Sequence, residues 1–121
     1  YSIVRSCIAR SVASHGLIAS LGIFHHNELN NFNLVDDLIE CYRPFVDFYV
    51  LKTVHLRHIG EESDENLTKD DRALLTQVIN ENVRIRNLSY SIKHSIDITV
   101  ESFIAAFQKE DVNLFELPEF Y

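Results

Sequence analysis

Ile92, Ile96, Val100, Phe103, Ile104 and Phe107 recur at intervals of three and four residues, the spacing that gathers side chains on one face of an α-helix. Val4, Cys7, Ile8 and Val12 repeat the rhythm, as do Leu74, Leu75, Val78 and Ile79. Three glycines and two prolines in 121 residues do little to interrupt it. Such faces are buried by packing helices on one another. The expected class is all-α: a single helical domain fragment of about four main helices, with one short extended link at Val83–Ile85, where apolar and charged residues alternate.

Local signals set the boundaries. The first helix runs from Ser2 to His15, with Gly16 placed as its stop. Leu17 to Phe32 has no clean period and reads as a loop with one helical turn. Asn33 is suited to an N-cap, with Asp36 at the capping-box position three residues on. Two adjoining stripes follow: Leu34, Leu38, Cys41, Phe45 and Phe48 beside Val35, Ile39, Tyr42, Val46 and Tyr49. So wide an apolar face predicts a mostly buried helix reaching about His58. Pro44 should kink or break it near Tyr42–Arg43, because proline lacks a backbone donor. Thr68 and Asp71 form a second capping box. The last helix begins near Ser89 or Ser91; its β-branched residues cost ~0.5 kcal/mol each against alanine, which burial offsets. Residues from Asp111 onward read as a tail that docks or frays.

Composition narrows the function classes. An apolar fraction of 46% argues against disorder. No apolar run approaches the roughly 18 residues of a membrane span, and YSIVRSCIAR lacks a signal-peptide pattern. Cys7 and Cys41 make no C-x-x-C pair or disulfide framework, which suits a reducing, cytoplasmic setting. A net charge of −7 speaks against a nucleic-acid coat or polybasic anchor; it leaves room for a local basic surface or metal-bridged DNA. Much of the acid falls in GEESDENLTKDD, Gly60 to Asp71, expected to be a solvated loop. A chain that begins at Tyr1 and holds no methionine is read as a piece of a longer protein.

The stretch FHHNELNNFNLVDDLIECYRP, Phe24 to Pro44, carries the chemistry. Two histidines precede four asparagines (Asn27, Asn30, Asn31, Asn33) and the acids Asp36, Asp37 and Glu40. Asp36, Glu40, Arg43 and Asp47 follow a helical stripe, and Asp37 shares a face with Glu40. A loop histidine folding back on that stripe gives imidazole and carboxylate donors suited to Mn²⁺, Zn²⁺ or hydrated Mg²⁺, with asparagines as outer partners. The same pattern also describes the solvent edge of a buried helix with an asparagine-rich turn; spacing alone leaves both open. His55 and His58 are a weaker metal pair, more simply a solvated helix end. Ser14-His15 has no third partner for a nucleophilic triad. Cys41 reads as core. Arg84, Arg86 and Lys93 are candidates for phosphate contact or ordinary charged surface.

The string LGIFHHNELNNFNLVDDLIECYRPFVDFYV resembles the catalytic helical domain of the CRISPR-associated endonuclease/integrase of spacer acquisition, the first-numbered Cas protein, in the style of type II systems. Histidine, Asn-x-Phe-Asn-Leu, D-L-I-E and R-P-x-V-D occur in family order. Weaker similarity extends to YSIVRSCIARSVASHGL and SIDITVESFIAAF. The resemblance implies that residues 1–121 are the C-terminal portion of that domain. It implies a metal site of a glutamate, a histidine and a second acid. His25, not His26, takes the histidine position and Glu40 the second acid; Asp37 matches an acid near the site. The remaining glutamate falls upstream of Tyr1, so the fragment alone is expected to be inactive. Also implied are Mg²⁺ or Mn²⁺, transesterification that inserts spacers at repeat ends, and double-stranded DNA as substrate. The implied partners are a second copy of the protein, the small second-numbered Cas protein and other CRISPR proteins, with no membrane. Arg43 would pair with Glu40 or touch phosphate. A non-catalytic helical interaction module is the competing reading.

Overall fold

A computed structural model describes residues 1–57 and 67–121. Helix α1 spans Ser2–Ser14, α2 Asn33–Ile39, α3 Arg43–Arg57, α4 Lys69–Thr76 and α5 Ile92–Lys109. Strands β1, Asn82–Ile85, and β2, Leu88–Ser91, lie between α4 and α5. The fold is therefore mostly helical rather than all-α. The helix count also rises above four, because the long helix expected from Asn33 to His58 divides in two. Helix α2 stops at Ile39, and Pro44 becomes the second residue of α3, where its missing N–H has no intrahelical acceptor to lose. His58 and most of the acidic stretch lie outside the described residues.

Helix α1 packs on α5 and α2. Its Val4, Ile8 and Val12 meet Leu34, Val35, Leu38 and Ile39 of α2, Phe45, Val46 and Tyr49 of α3, and Ile92, Ile96 and Val100 of α5 in one core. Each fully buried aliphatic side chain there contributes about 1.5–3 kcal/mol relative to exposure. Tyr42, in the α2–α3 junction, is 1% exposed. Its hydroxyl lies 3.1 Å from Ser95 Oγ and 2.9 Å from Thr99 Oγ1 on α5, and burial pushes its pKa up to about 12. The break therefore hands a polar side chain to α5.

The end signals hold where the requirement is local. Gly16 takes φ +76° after α1, a conformation open to glycine. Thr68 and Asp71 bond reciprocally, at 3.1 and 3.0 Å, and Ser91 Oγ caps α5 by accepting from His94 N at 3.2 Å. Asn33 is the exception. It is the first residue inside α2, with Phe32 at the cap, and Asp36 closes no capping box there.

The extended link is one half of a hairpin. Val83 pairs with Tyr90 and Arg84 with Ser89. Arg86 and Asn87, at φ 51° and 63°, form the two-residue turn whose twist suits an antiparallel pair. Val83 and Ile85 are buried, so the alternation noted in the sequence is a core-facing strand. The outer side of β1 is met by the tail: Arg84 and Glu119 exchange backbone hydrogen bonds of 2.9 and 2.8 Å. Phe120 then stacks 4.4 Å from Phe45 and 5.7 Å from Phe48, centroid to centroid. The tail docks.

Candidate metal centre

The connector between α1 and α2 has no regular structure of its own, so its shape must come from what it touches. The main contact is Asp37, in the second turn of α2. Its Oδ2 accepts the backbone N–H of Ile23 and, at 3.1 Å, that of Phe24. Its Oδ1 accepts the N–H of His25 at 3.0 Å and the ring Nδ1–H of His25 at 2.6 Å. Burial alone would raise the Asp37 pKa. The His25 ring and the three backbone donors outweigh it and leave the carboxyl below its ordinary value. The Asp37 side chain is only 6% exposed, whereas that of His25 is 44% exposed. A buried anion thus gathers a loop and holds one exposed imidazole on it.

That contact determines what His25 can do. With Nδ1 donating to a carboxylate, the neutral ring keeps its lone pair on Nε2, the tautomer in which histidine ligates a metal through Nε2. A carboxylate behind the imidazole also fixes the orientation of the ring.

Glu40 lies one residue past α2 and is exposed. Its Oε1 accepts from Arg43 Nε at 2.8 Å, which leaves Oε2 outside the pair. Arg43 in turn lies 5.1 Å from the Tyr1 ring, and the Tyr1 hydroxyl donates to Asp47. Asp36 accepts two bonds from Arg5, at 2.7 and 3.2 Å, and one from Asn30 Nδ2 at 2.7 Å. Arg5 first, and Asn30 with it, hold the Asp36 carboxyl below the usual range against its burial. The polar stripe of the sequence is therefore the seam along which α1 meets α2 and α3. Asn30 serves Asp36 rather than the histidine.

The structure joins His25 to Asp37 and Glu40 to Arg43. Among the described residues no group of three or more His, Cys, Asp or Glu side chains is arranged to hold a metal. The donors that are present nevertheless fit a divalent cation in kind: an imidazole oriented through Nδ1 and an exposed carboxylate.

The other candidates separate. Arg86 is ion-paired with Glu116. Arg84 lies 5.9 Å from the Tyr121 ring, and its buried Nε has no hydrogen-bond partner among the described residues. Lys93 is exposed at the start of α5. His15 ends α1 and is tied to the Ser11 carbonyl at 2.7 Å and to Glu101 at 3.3 Å. His55 is exposed, and Cys41 is partly buried with a free thiol. Sequence reasoning missed Asn33, whose carboxamide works inside the connector, and Gly22, which is packed against it. The only local signal was an asparagine at the predicted N-cap of a buried helix.

In class this is a mostly helical domain presenting a carboxylate-oriented imidazole. The chain belongs to the Cas1 family: the model of the family described as "CRISPR associated protein Cas1" matches residues 1–84. The chain is also similar to a CRISPR-associated endonuclease Cas1 from Neisseria meningitidis serogroup C (strain 8013). The two are 34% identical over 119 residues, covering 98% of this chain and 38% of the relative. The chain thus spans about two-fifths of the length of that relative. No described helix is long and apolar enough to cross a membrane.

Proposed function

We propose that this chain is part of a metal-dependent DNA endonuclease and integrase that inserts new spacers into a CRISPR array by transesterification at repeat ends. The observation that carries the reading is the Asp37–His25 contact, which commits Nδ1 to the carboxylate and frees Nε2. His25 and Glu40 would hold Mg²⁺ or Mn²⁺, with a further acidic ligand supplied from outside these 121 residues. When bound, the cation would polarise the scissile phosphate and neutralise charge developing on its oxygens.

The reaction exchanges one phosphodiester for another. A 3′-hydroxyl oxygen of the incoming DNA bonds to phosphorus at the repeat end, and the bond to the leaving 3′ oxygen breaks. The attacking hydroxyl loses its proton to solvent and the leaving oxygen regains one. This chain's own part is positional. Asp37 fixes the imidazole, and Arg43 holds the Glu40 carboxylate by one oxygen. The DNA path would be shared across a larger assembly, formed by a second copy and the small second-numbered Cas protein, so the acidic balance of this chain is compatible with DNA as substrate. Lys93 is the basic candidate with the freest side chain; Arg86 would first have to leave Glu116. The assembly would act in the prokaryotic cytoplasm.

The test uses the full-length protein. Glu40→Ala and His25→Ala should each abolish Mn²⁺-dependent strand joining and spacer acquisition while the protein stays folded in EDTA. Wild-type acquisition by a folded Glu40→Ala protein would overturn the assignment and favour a non-catalytic interaction module.

A further inference from the structure

Asn33 is 5% exposed, and its side chain does two things at once. The carboxamide nitrogen donates to the Ser20 carbonyl at 3.0 Å and to the Asn27 carbonyl at 2.9 Å. These carbonyls flank the segment that carries His25, one on each side. Both amide hydrogens are used, and both go to backbone that no secondary structure pairs. Asn33 Oδ1 is buried without a hydrogen-bond partner among the described residues. The side chain is therefore kept here for its two donors.

Asn33 and Asp37 are four residues apart on α2, so they lie one above the other on the same face. One takes the carbonyls at the ends of the loop, and the other takes the N–H groups and the imidazole in its middle. Between them sits Gly22. A Cβ there would lie 2.8 Å from Asn33 Cβ and 3.0 Å from Asp37 Oδ2, and would also collide with the His25 carbonyl oxygen. Backbone lines that site, so relief would require the loop to move.

We propose that Asn33 is a positioning residue for His25: its buried carboxamide closes the 20–27 loop, with Gly22 permitting the close approach, so that Asp37 meets the imidazole at Nδ1 and Nε2 is left to ligate. This rests on the proposed role of His25 as a metal ligand. Asn33 touches neither metal nor substrate; it acts through the loop. Asparagine meets the need because it is short enough to stay beneath the loop and carries two donors on one planar nitrogen. Aspartate has the same shape and no donor.

The experiment is run on the full-length protein. Asn33→Asp removes the donors, and Gly22→Ala strains the same loop without touching α2, which serves if the first variant fails to fold. Histidine ¹H–¹⁵N spectra of the metal-free protein report the His25 tautomer, and titration with Mn²⁺ reports affinity. In folded wild-type protein His25 should be protonated on Nδ1. In either folded variant that preference should be lost, and Mn²⁺ affinity should fall about tenfold, the lower end of the effect of disturbing a ligand's outer partner. A folded variant that keeps the Nδ1–H tautomer and wild-type Mn²⁺ affinity overturns the proposal. His25→Ala separates the two readings. If it binds Mn²⁺ as wild type does, the metal role of His25 fails, while a tautomer change in the Asn33 and Gly22 variants still establishes the clamp.

Discussion

Replacing Asp37 by asparagine changes one atom and should cost far more than an ordinary surface substitution. The carboxylate accepts four N–H groups, two on each oxygen. An amide offers one oxygen, so one pair of donors must face an NH₂ group. Hydrogen bonds to a charged acceptor contribute about 1.5–3 kcal/mol each. Two are lost outright and the surviving two become neutral. Ile23 and Phe24 are exposed, so their N–H groups recover part of the loss in water. The balance is a destabilisation of about 2–3 kcal/mol at pH 7. With a urea m-value of about 1.5 kcal/mol per molar, the unfolding midpoint should drop by roughly 1.5 M with unchanged slope. The pH dependence gives an independent check. The folded Asp37 carboxyl lies below its ordinary value, so its stabilisation is complete above the unfolded pKa of about 3.9 and disappears as pH falls through the folded value. Wild type and variant should therefore differ at pH 7 and converge as pH falls below the folded value. A midpoint shift under about 0.3 M at pH 7, or a gap that persists into acid, would refute the account of this carboxylate as the loop's organising group.

Three further outcomes follow from the same structure. Tyr42→Phe should cost about 1–2 kcal/mol by denaturant unfolding, since two buried hydroxyl contacts go, while Ser95 Oγ keeps its bond to the Ile92 carbonyl. His15 has a raised pKa, chiefly from the Ser11 carbonyl and then Glu101. Its contribution is full below the unfolded pKa of about 6.5 and lost as pH rises through the folded value; His15→Gln should flatten the fall in urea midpoint between pH 6 and pH 8. The 121-residue chain should self-associate in light scattering, because Ile18, Leu21 and Phe107 are 61, 65 and 73% exposed around one apolar groove of about 490 Å³. Phe107→Glu should shift it toward monomer; a monodisperse wild-type monomer at high concentration would contradict this.

What the sequence made legible was what a few adjacent residues decide. Gly16, Thr68 with Asp71, and Ser91 mark helix ends through their own backbone or side-chain chemistry, and Pro44 breaks a helix by lacking a donor. The hairpin was half visible. Val83 and Ile85 alternate around Arg84, but Leu-Ser-Tyr-Ser offered no apolar face, and its serines read as helix caps. The turn, Arg86-Asn87, carries no glycine to announce it. Asn33 shows why type-based reasoning fails at such a site. Its cap preference is a local tendency, whereas its actual bonds reach residues 20 and 27 across a loop. The His25–Asp37 pair spans 12 residues, and no spacing rule joins them. It was the family resemblance that singled out His25 over His26 and placed Asp37 near it.

The tail that runs beside β1 has an effect beyond holding its own residues. A two-stranded sheet has two free flanks, and an unpaired row of N–H and C=O groups is a template on which another chain can extend it. The Glu119 backbone occupies both hydrogen-bonding groups of Arg84, at the middle of a four-residue strand, and Phe120 anchors that occupation in aromatic packing against α3. The molecule supplies its own third strand in miniature, and so denies a foreign strand a foothold on the β1 flank.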